Sequence, residues 1–288
     1  MELSPSGAKP AAIVIGGVTF AWGARTYVMG IVNATPDSFS GDGVLDPGVA
    51  AEQAARMVEE GADLLDVGAE STRPDFPSID ALQEWRRLEP VLRAMRRAVA
   101  VPISVDTSKA EVAARAFEAG ADALNDVRGL RGDAELASVL ARRDLPAVLM
   151  HNQRGRAFGG DVIEDIREGF RASLEIAERA GLERERLILD PGFGFGWQPE
   201  QNLEMVRRLG ELHDLGRPLL LGTSRKSTLG LVLGRPVEGR AWGTAATMAL
   251  AVAGGVDIVR VHDVAAMRDV VHVADAVMRG GWHAPQPS

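Results

Sequence analysis

Short runs rich in β-branched and aliphatic residues alternate along this chain with longer stretches in which apolar positions return every three or four residues. The first pattern marks buried strands, the second helices with one face on a core. Strands are expected at Val28 to Val32, Leu64 to Val67, Ile103 to Asp106, Ala123 to Asp126, Ala147 to Met150, Leu187 to Asp190, Leu219 to Leu221 and Ile258 to Val261. Helices are expected at Val49 to Glu60, Ala81 to Arg97, Ala110 to Ala119, Ala134 to Arg143, Ile163 to Ala180, Pro199 to Leu209, Arg240 to Ala253 and Ala265 to Met278. Eight strand and helix pairs in roughly 250 residues match a closed (β/α)8 TIM barrel. A doubly wound open sheet is the alternative fold. Ile13 to Ala21 reads as a short N-terminal hairpin turning at Gly16 and Gly17, placed to cap the barrel bottom. The chain thus divides into an extension and hairpin over 1–26, a barrel over 27–280 and a tail over 281–288.

Glu60 Gly61 Ala62 Asp63 precedes the second strand, Glu118 Ala119 Gly120 Ala121 Asp122 the fourth, and Gly255 Val256 Asp257 the last. Each should end a helix on a left-handed glycine and lead directly into a strand. No linker or composition break divides the chain, so one domain is expected.

Composition then removes several classes of function. The formal charge of -8 argues against a general nucleic-acid or anionic-membrane surface, so any anionic ligand needs a local basic pocket. With no cysteine there is no disulfide, thiolate nucleophile or Cys-ligated metal. No uncharged apolar run reaches the roughly 18 residues of a membrane span, which makes the cytoplasm the expected location. Only Lys9, Lys109 and Lys226 are lysines among 32 basic residues, a mild sign that a lysine inside a motif does something arginine would not.

Every expected strand runs into polar residues. These are Asn33; Glu70 Ser71 Thr72 Arg73; Asp106 Thr107 Ser108 Lys109; Asn125 Asp126; His151 Asn152; Asp190; Thr223 Ser224 Arg225 Lys226; and Arg260 with His262. Any one could simply cap the next helix, but in a barrel all eight ends meet at one mouth, where catalytic groups gather. There is no Walker A loop, no His-Glu-x-x-His, no Gly-x-Ser-x-Gly around Ser224, and no zinc spacing among the five histidines. Gly192 Phe193 Gly194 Phe195 Gly196 lacks the spacing of a dinucleotide loop. Arg260 and His262, two apart on a strand end, face one way and could hold a phosphate group. Carboxylates and amides (Asp106, Asn125, Asp190) beside cations (Arg73, Lys226, Arg260, His262) suit a heterocycle with paired N–H donors that carries a diphosphate.

These residues also fall into seven ordered motifs: Asn33 to Ser40, Gly68 to Pro74, Ser104 to Lys109, Asn125 Asp126, Leu189 to Phe195, Gly222 to Ser227 and Arg260 to Val264. Together, from about Tyr27 to Arg279, they resemble the dihydropteroate synthase family of pterin-binding enzymes. The resemblance implies a barrel that condenses (7,8-dihydropterin-6-yl)methyl diphosphate with p-aminobenzoate to give 7,8-dihydropteroate and diphosphate. It implies that Asp106, Asn125, Asp190 and Lys226 hold the pterin, that Arg260 and His262 contact the phosphates directly, and that Val261 is a further substrate-binding residue. It places Asn33 on Mg2+ at the diphosphate, and Thr72, Arg73, Phe195 and Ser227 on the aminobenzoate side. Lys226, Arg260, Asp106 and Arg73 are the catalytic candidates, and a homodimer is the implied assembly, with Trp242 to Ala253 and Val264 to Val277 as candidate faces. The loop with Pro36, Asp37, Ser40 and Gly41 reads as a lid over the second substrate. The sequence departs from the family at His151 Asn152 Gln153 Arg154 Gly155, where Met-Gln-Gly commonly follows the histidine, and at Ser40 Gly41 Asp42 Gly43. The competing readings are a corrinoid-linked pterin methyltransferase, which has no use for diphosphate-binding residues, and a silent folate-binding barrel, which would have lost some of them.

Overall fold

The computed structural model describes residues 10–35, 46–71 and 77–280. The lid expectation at Pro36, Asp37, Ser40 and Gly41 and the assignments of Thr72 and Arg73 lie outside the described residues, as do residues 1–9 and 281–288. The hairpin comes first, β1 (Ile13–Ile15) pairing antiparallel with β2 (Val18–Phe20). Gly16 and Gly17 turn it at φ 53° and 82°, the positive values a tight two-residue hairpin turn demands.

The barrel strands are β3 (Tyr27–Asn33), β4 (Leu64–Gly68), β5 (Ile103–Asp106), β6 (Ala123–Asp126), β7 (Ala147–Met150), β8 (Leu187–Asp190), β9 (Leu220–Leu221) and β10 (Ile258–Val261). All neighbours pair in parallel, in the order β8-β7-β6-β5-β4-β3-β10-β9. A parallel bridge from Leu189 to Leu219 and the bond from Leu189 N–H to Pro218 O at 2.9 Å join β8 to β9. That join closes the ring and removes the open-sheet alternative.

The crossovers are α1 (Pro47–Glu59), α2 (Ala81–Ala98), α3 (Ala110–Glu118), α4 (Leu136–Ala141), α5 (Val162–Arg179), α6 (Pro199–Arg207), α7 (Ser227–Leu233), α8 (Ala241–Ala253) and α9 (Val264–Arg279). Their starts follow local chemistry. Asp46, before Pro47, accepts from Gly48 and Val49 N–H, while Asp161 caps α5 through Ile163 and Glu164 N–H. The expected glycine stops are also present, with Gly61, Gly120 and Gly255 at φ 99°, 108° and 86°. None of the helices among the described residues is long and apolar enough to cross a membrane.

Strand alternation sorts the interior into two cores. Outward residues such as Val32, Val67, Val105, Leu124, Leu149, Leu189, Val259 and Val261 pack under the helices. Inward residues at the strand starts, among them Met29, Leu64, Val148, Ile188, Leu220 and Ile258, form a separate apolar layer with Ile13, Ile15, Phe20 and Trp22 of the hairpin region. The hairpin therefore plugs the barrel bottom, as expected, and its Gly16 turn lies against Asp122. One step up β4, β6, β8 and β10 the inward positions turn polar, and there the site begins.

Candidate active site

Two residues above the apolar layer, Leu64 gives way to Asp66, Ala123 to Asn125 and Ile258 to Arg260, while Ser104 fills the same level on β5. These four side chains form one network. Arg260 Nε donates to Asp66 Oδ2 at 2.7 Å, Asn125 Nδ2 donates to the same oxygen at 2.9 Å, and the Ser104 hydroxyl donates to Asp66 Oδ1. Asp66 is fully buried, so without these three donors its charge would not be tolerated there. The motif reading passed over it, because it lies inside an apolar strand instead of at its end. A carboxylate on the inward face of Leu64-Leu65-Asp66-Val67-Gly68 was the available signal.

The next level holds the expected site residues. Asp106 ends β5, and its Oδ2 lies 3.2 Å from Arg260 Nη2. Burial and the neighbouring Asp66 carboxylate push its pKa above the usual carboxylate range, against the pull of Arg260. Asp190 ends β8, and its Oδ1 accepts from Gly192 N–H at 2.8 Å. Burial raises its pKa too, opposed by Lys226 and that backbone bond. Lys226 reaches in from the turn before α7 and donates to Phe193 O at 2.5 Å, with Nζ 4.8 Å from the Phe195 ring centre. Burial lowers its pKa to about 8, which Asp190 opposes.

The loop around Asp190 is folded onto its neighbours. A Cβ on Gly192, at φ 78°, would stand 1.9 Å from His151 O, and one on Gly196 2.5 Å from Arg154 N. The Gly-Phe-Gly-Phe-Gly run thus lets the loops after β7 and β8 touch and sets Phe195 against Lys226. His151 serves this packing: its ring is fully buried beside Trp197 and bonded through Nε2 to Gln153 Oε1 at 2.9 Å, and burial lowers its pKa to about 4.

The structure brings Asp106, Asn125, Asp190, Lys226, Arg260 and His262 to one mouth, with Asn33 ending β3 and Ser227 exposed as the first residue of α7. His262 Nδ1 lies 2.9 Å from Ser224 Oγ. Two expectations gain detail, and a third cation is sorted out of the site. Val261 points outward into the helix-facing core, as alternation between Arg260 and His262 requires. Arg260, expected on the phosphates, is also held by Asp66 and Asp106. Arg225 sits at φ 57° and turns away to Asp263, with Nη2 and Oδ1 2.5 Å apart, which leaves Lys226 as the inward cation of that motif. Lys109, the other motif lysine, is outside the ligand site and joins Glu70 (2.6 Å) to buried Glu84 (2.5 Å), fastening the β4 loop to α2.

A closed barrel with an apolar plug below and carboxylates, amide and cations converging above is the arrangement of a barrel enzyme whose mouth takes a polar ligand. The profile of the family described as pterin binding enzyme matches residues 29–262, and the chain belongs to that family. It is 44% identical over 278 residues to a dihydropteroate synthase of Synechocystis, covering 94% of this chain and 96% of that one. It is 43% identical to one of Clostridium beijerinckii, covering 92% and 99%. Among solved structures, the dihydropteroate synthase of Clostridium difficile crystallised with pteroic acid superposes with a TM-score of 0.86 at 47% identity, covering 90% of this chain and 99% of that one. The Xanthomonas albilineans enzyme with 4-aminobenzoic acid gives 0.86 at 40%, covering 93% and 98%. Within the family, this chain has the function of a dihydropteroate synthase, a transferase of folate biosynthesis.

Proposed function

We propose that this mouth binds (7,8-dihydropterin-6-yl)methyl diphosphate and joins it to p-aminobenzoate, with the residues divided between the two as follows. The observation that carries the assignment is the convergence of Asp106, Asn125, Asp190 and Lys226 at and just above the Asp66 network. The amino-pyrimidinone edge of a pterin offers N–H donors that suit Asp190, Asp106 and the Asn125 carbonyl, and a ring carbonyl that suits the compact ammonium of Lys226. Thr72, Arg73, Phe195 and Ser227 are assigned to the aminobenzoate, and His262 and the outer edge of Arg260 to the diphosphate.

In the reaction the bond between the methylene carbon and the diphosphate oxygen breaks, and the electron pair leaves with diphosphate. The amine nitrogen of p-aminobenzoate bonds to that carbon and then gives its extra proton to solvent. An arylamine is neutral near pH 7, so no strong base is needed. Arg260, a positive charge at the mouth beside His262, is available where negative charge gathers on the departing diphosphate.

Asn33 ends β3 at this mouth, and among the described residues no three His, Asp or Glu side chains are grouped to hold a metal. That donor set fits a Mg2+ whose other ligands are water and diphosphate oxygens, with the Asn33 amide as its protein contact. When bound, the ion would neutralise charge on the departing group.

We also assign the enzyme to the cytoplasm as a homodimer. Trp242, Leu250, Val273 and Val277 are 81%, 59%, 67% and 75% exposed along α8 and α9, which enclose an apolar groove of about 610 Å³. An apolar surface of that extent suits a second copy better than water. Dihydropteroate formation from both substrates with Mg2+, followed by mass spectrometry, tests the reading. Diphosphate release without amine incorporation would overturn it.

A further inference from the structure

The loop after β6 is bent in a way that sequence alone would disfavour. Gly129 and Leu130 both have positive φ, 57° and 63°, and Leu130 is buried. A leucine in that region is strained by its Cβ, so something must hold it there. The holder is Asp126, a fully buried carboxylate for which the reaction has no use. It accepts from Arg128 N–H at 2.8 Å, Leu130 N–H at 2.6 Å and Ser108 Oγ at 2.5 Å.

The fixed turn presents Arg128 and Arg131 to the mouth, where Arg154 and Arg156 from the loop after β7 join them. All four line one cavity of about 490 Å³ that reaches Asp106. Among the described residues no ion pair includes Arg128, Arg131 or Arg156, and the carboxylates of that cavity are engaged elsewhere: Glu70 by Lys109 at 2.6 Å, Asp106 by Arg260 at 3.2 Å. Arg131 has its pKa lowered by burial and by the charge of Arg156. Such an accumulation is unusual in a chain of net charge -8. It is also distinct in position. In the strand order, β6 and β7 stand across the ring from β3 and β10, which carry Asn33, Arg260 and His262.

We propose that this arginine rim is a second oxyanion site, where a phosphate-bearing small molecule docks before it seats in the barrel. The proposal rests on the reading that the substrate carries a diphosphate. Free phosphate shares the same chemistry and would compete for the rim.

Stopped-flow pterin fluorescence on the full chain tests it, comparing wild type with the Arg128→Gln, Arg131→Gln, Arg156→Gln triple variant. With pterin diphosphate at low salt, association should slow about tenfold in the variant. The difference should close near 0.5 M NaCl, where the Debye length is only a few ångströms (about 3 Å at 1 M). The uncharged hydroxymethyl pterin should associate equally fast with both proteins. Inorganic phosphate at constant ionic strength should slow the wild type and leave the variant unaffected. Equal rates for the diphosphate in the two proteins would overturn the rim site, as would phosphate slowing both alike. Equal slowing of the uncharged pterin would show loop damage and overturn it too. If the uncharged pterin does not bind the wild type at all, the pterin reading itself fails and the rim's role fails with it.

Discussion

Arg260 Nε and Asp66 Oδ2 lie 2.7 Å apart inside the barrel, joining β10 to β4 across the intervening β3. The pair is buried on the Asp66 side, where Asn125 and Ser104 complete the carboxylate's hydrogen bonds. Breaking such a pair strands a charge. Asp66→Ala should cost about 3–5 kcal/mol of stability, measured by urea unfolding, whereas exchange of both residues for apolar ones should cost much less. The alanine variant should also bind pterin poorly, because Asn125 and Arg260 lose their common anchor.

Asp106 should trade stability for function. Its folded pKa is raised, so between the ordinary carboxylate value and the folded one the native state holds a proton that the unfolded chain has released. The stability contributed by this group is therefore present at low pH and lost as pH rises through that window. Asp106→Asn removes the titration. It should leave stability near pH 4 unchanged and raise it at pH 8, while pterin affinity falls. Thermal unfolding across pH reads the first effect and fluorescence titration the second.

Lys226 titrates near 8 because it is buried, so its charge is present at pH 7 and disappears above that value. Pterin affinity should decline above pH 8 and approach tenfold per pH unit. Lys226→Arg would keep its charge at pH 9. Its forked guanidinium should not fit the place of the ammonium, and affinity should be low at every pH. An arginine variant that binds like wild type would contradict the in-plane role.

Gly192→Ala tests the loop contact. A side chain there must adopt φ near 78° and push on His151 O, which should cost at least about 1–3 kcal/mol and displace Asp190 and Phe195 together. The expected sign is a raised KM for both substrates. Gly181→Ala, at a positive-φ turn with open space around it, should lower stability and leave KM unchanged.

Much of this was legible in the amino-acid order. Strand alternation and the glycine stops at Gly61, Gly120 and Gly255 are local features, and they placed the barrel and the end on which its polar residues meet. Asp66 was not legible as a site residue, since only barrel closure brings Arg260 beside it. Arg225 and Lys226 are adjacent and alike in charge, yet the positive φ at Arg225 sends one to Asp263 and the other to Phe193. The short helix Ser227–Leu233 escaped notice because seven residues, one a glycine, carry too little periodicity.

The central claim is that Asp190 holds the pterin ring in the mouth for transfer to the amine. Its most direct test is pterin diphosphate binding and dihydropteroate formation by wild type and Asp190→Asn, with thermal unfolding as a check on the fold. Asparagine offers one acceptor and an unwanted donor, so affinity and product formation should fall together, at least about tenfold, in a folded protein. A folded variant that binds and turns over like wild type would contradict the claim.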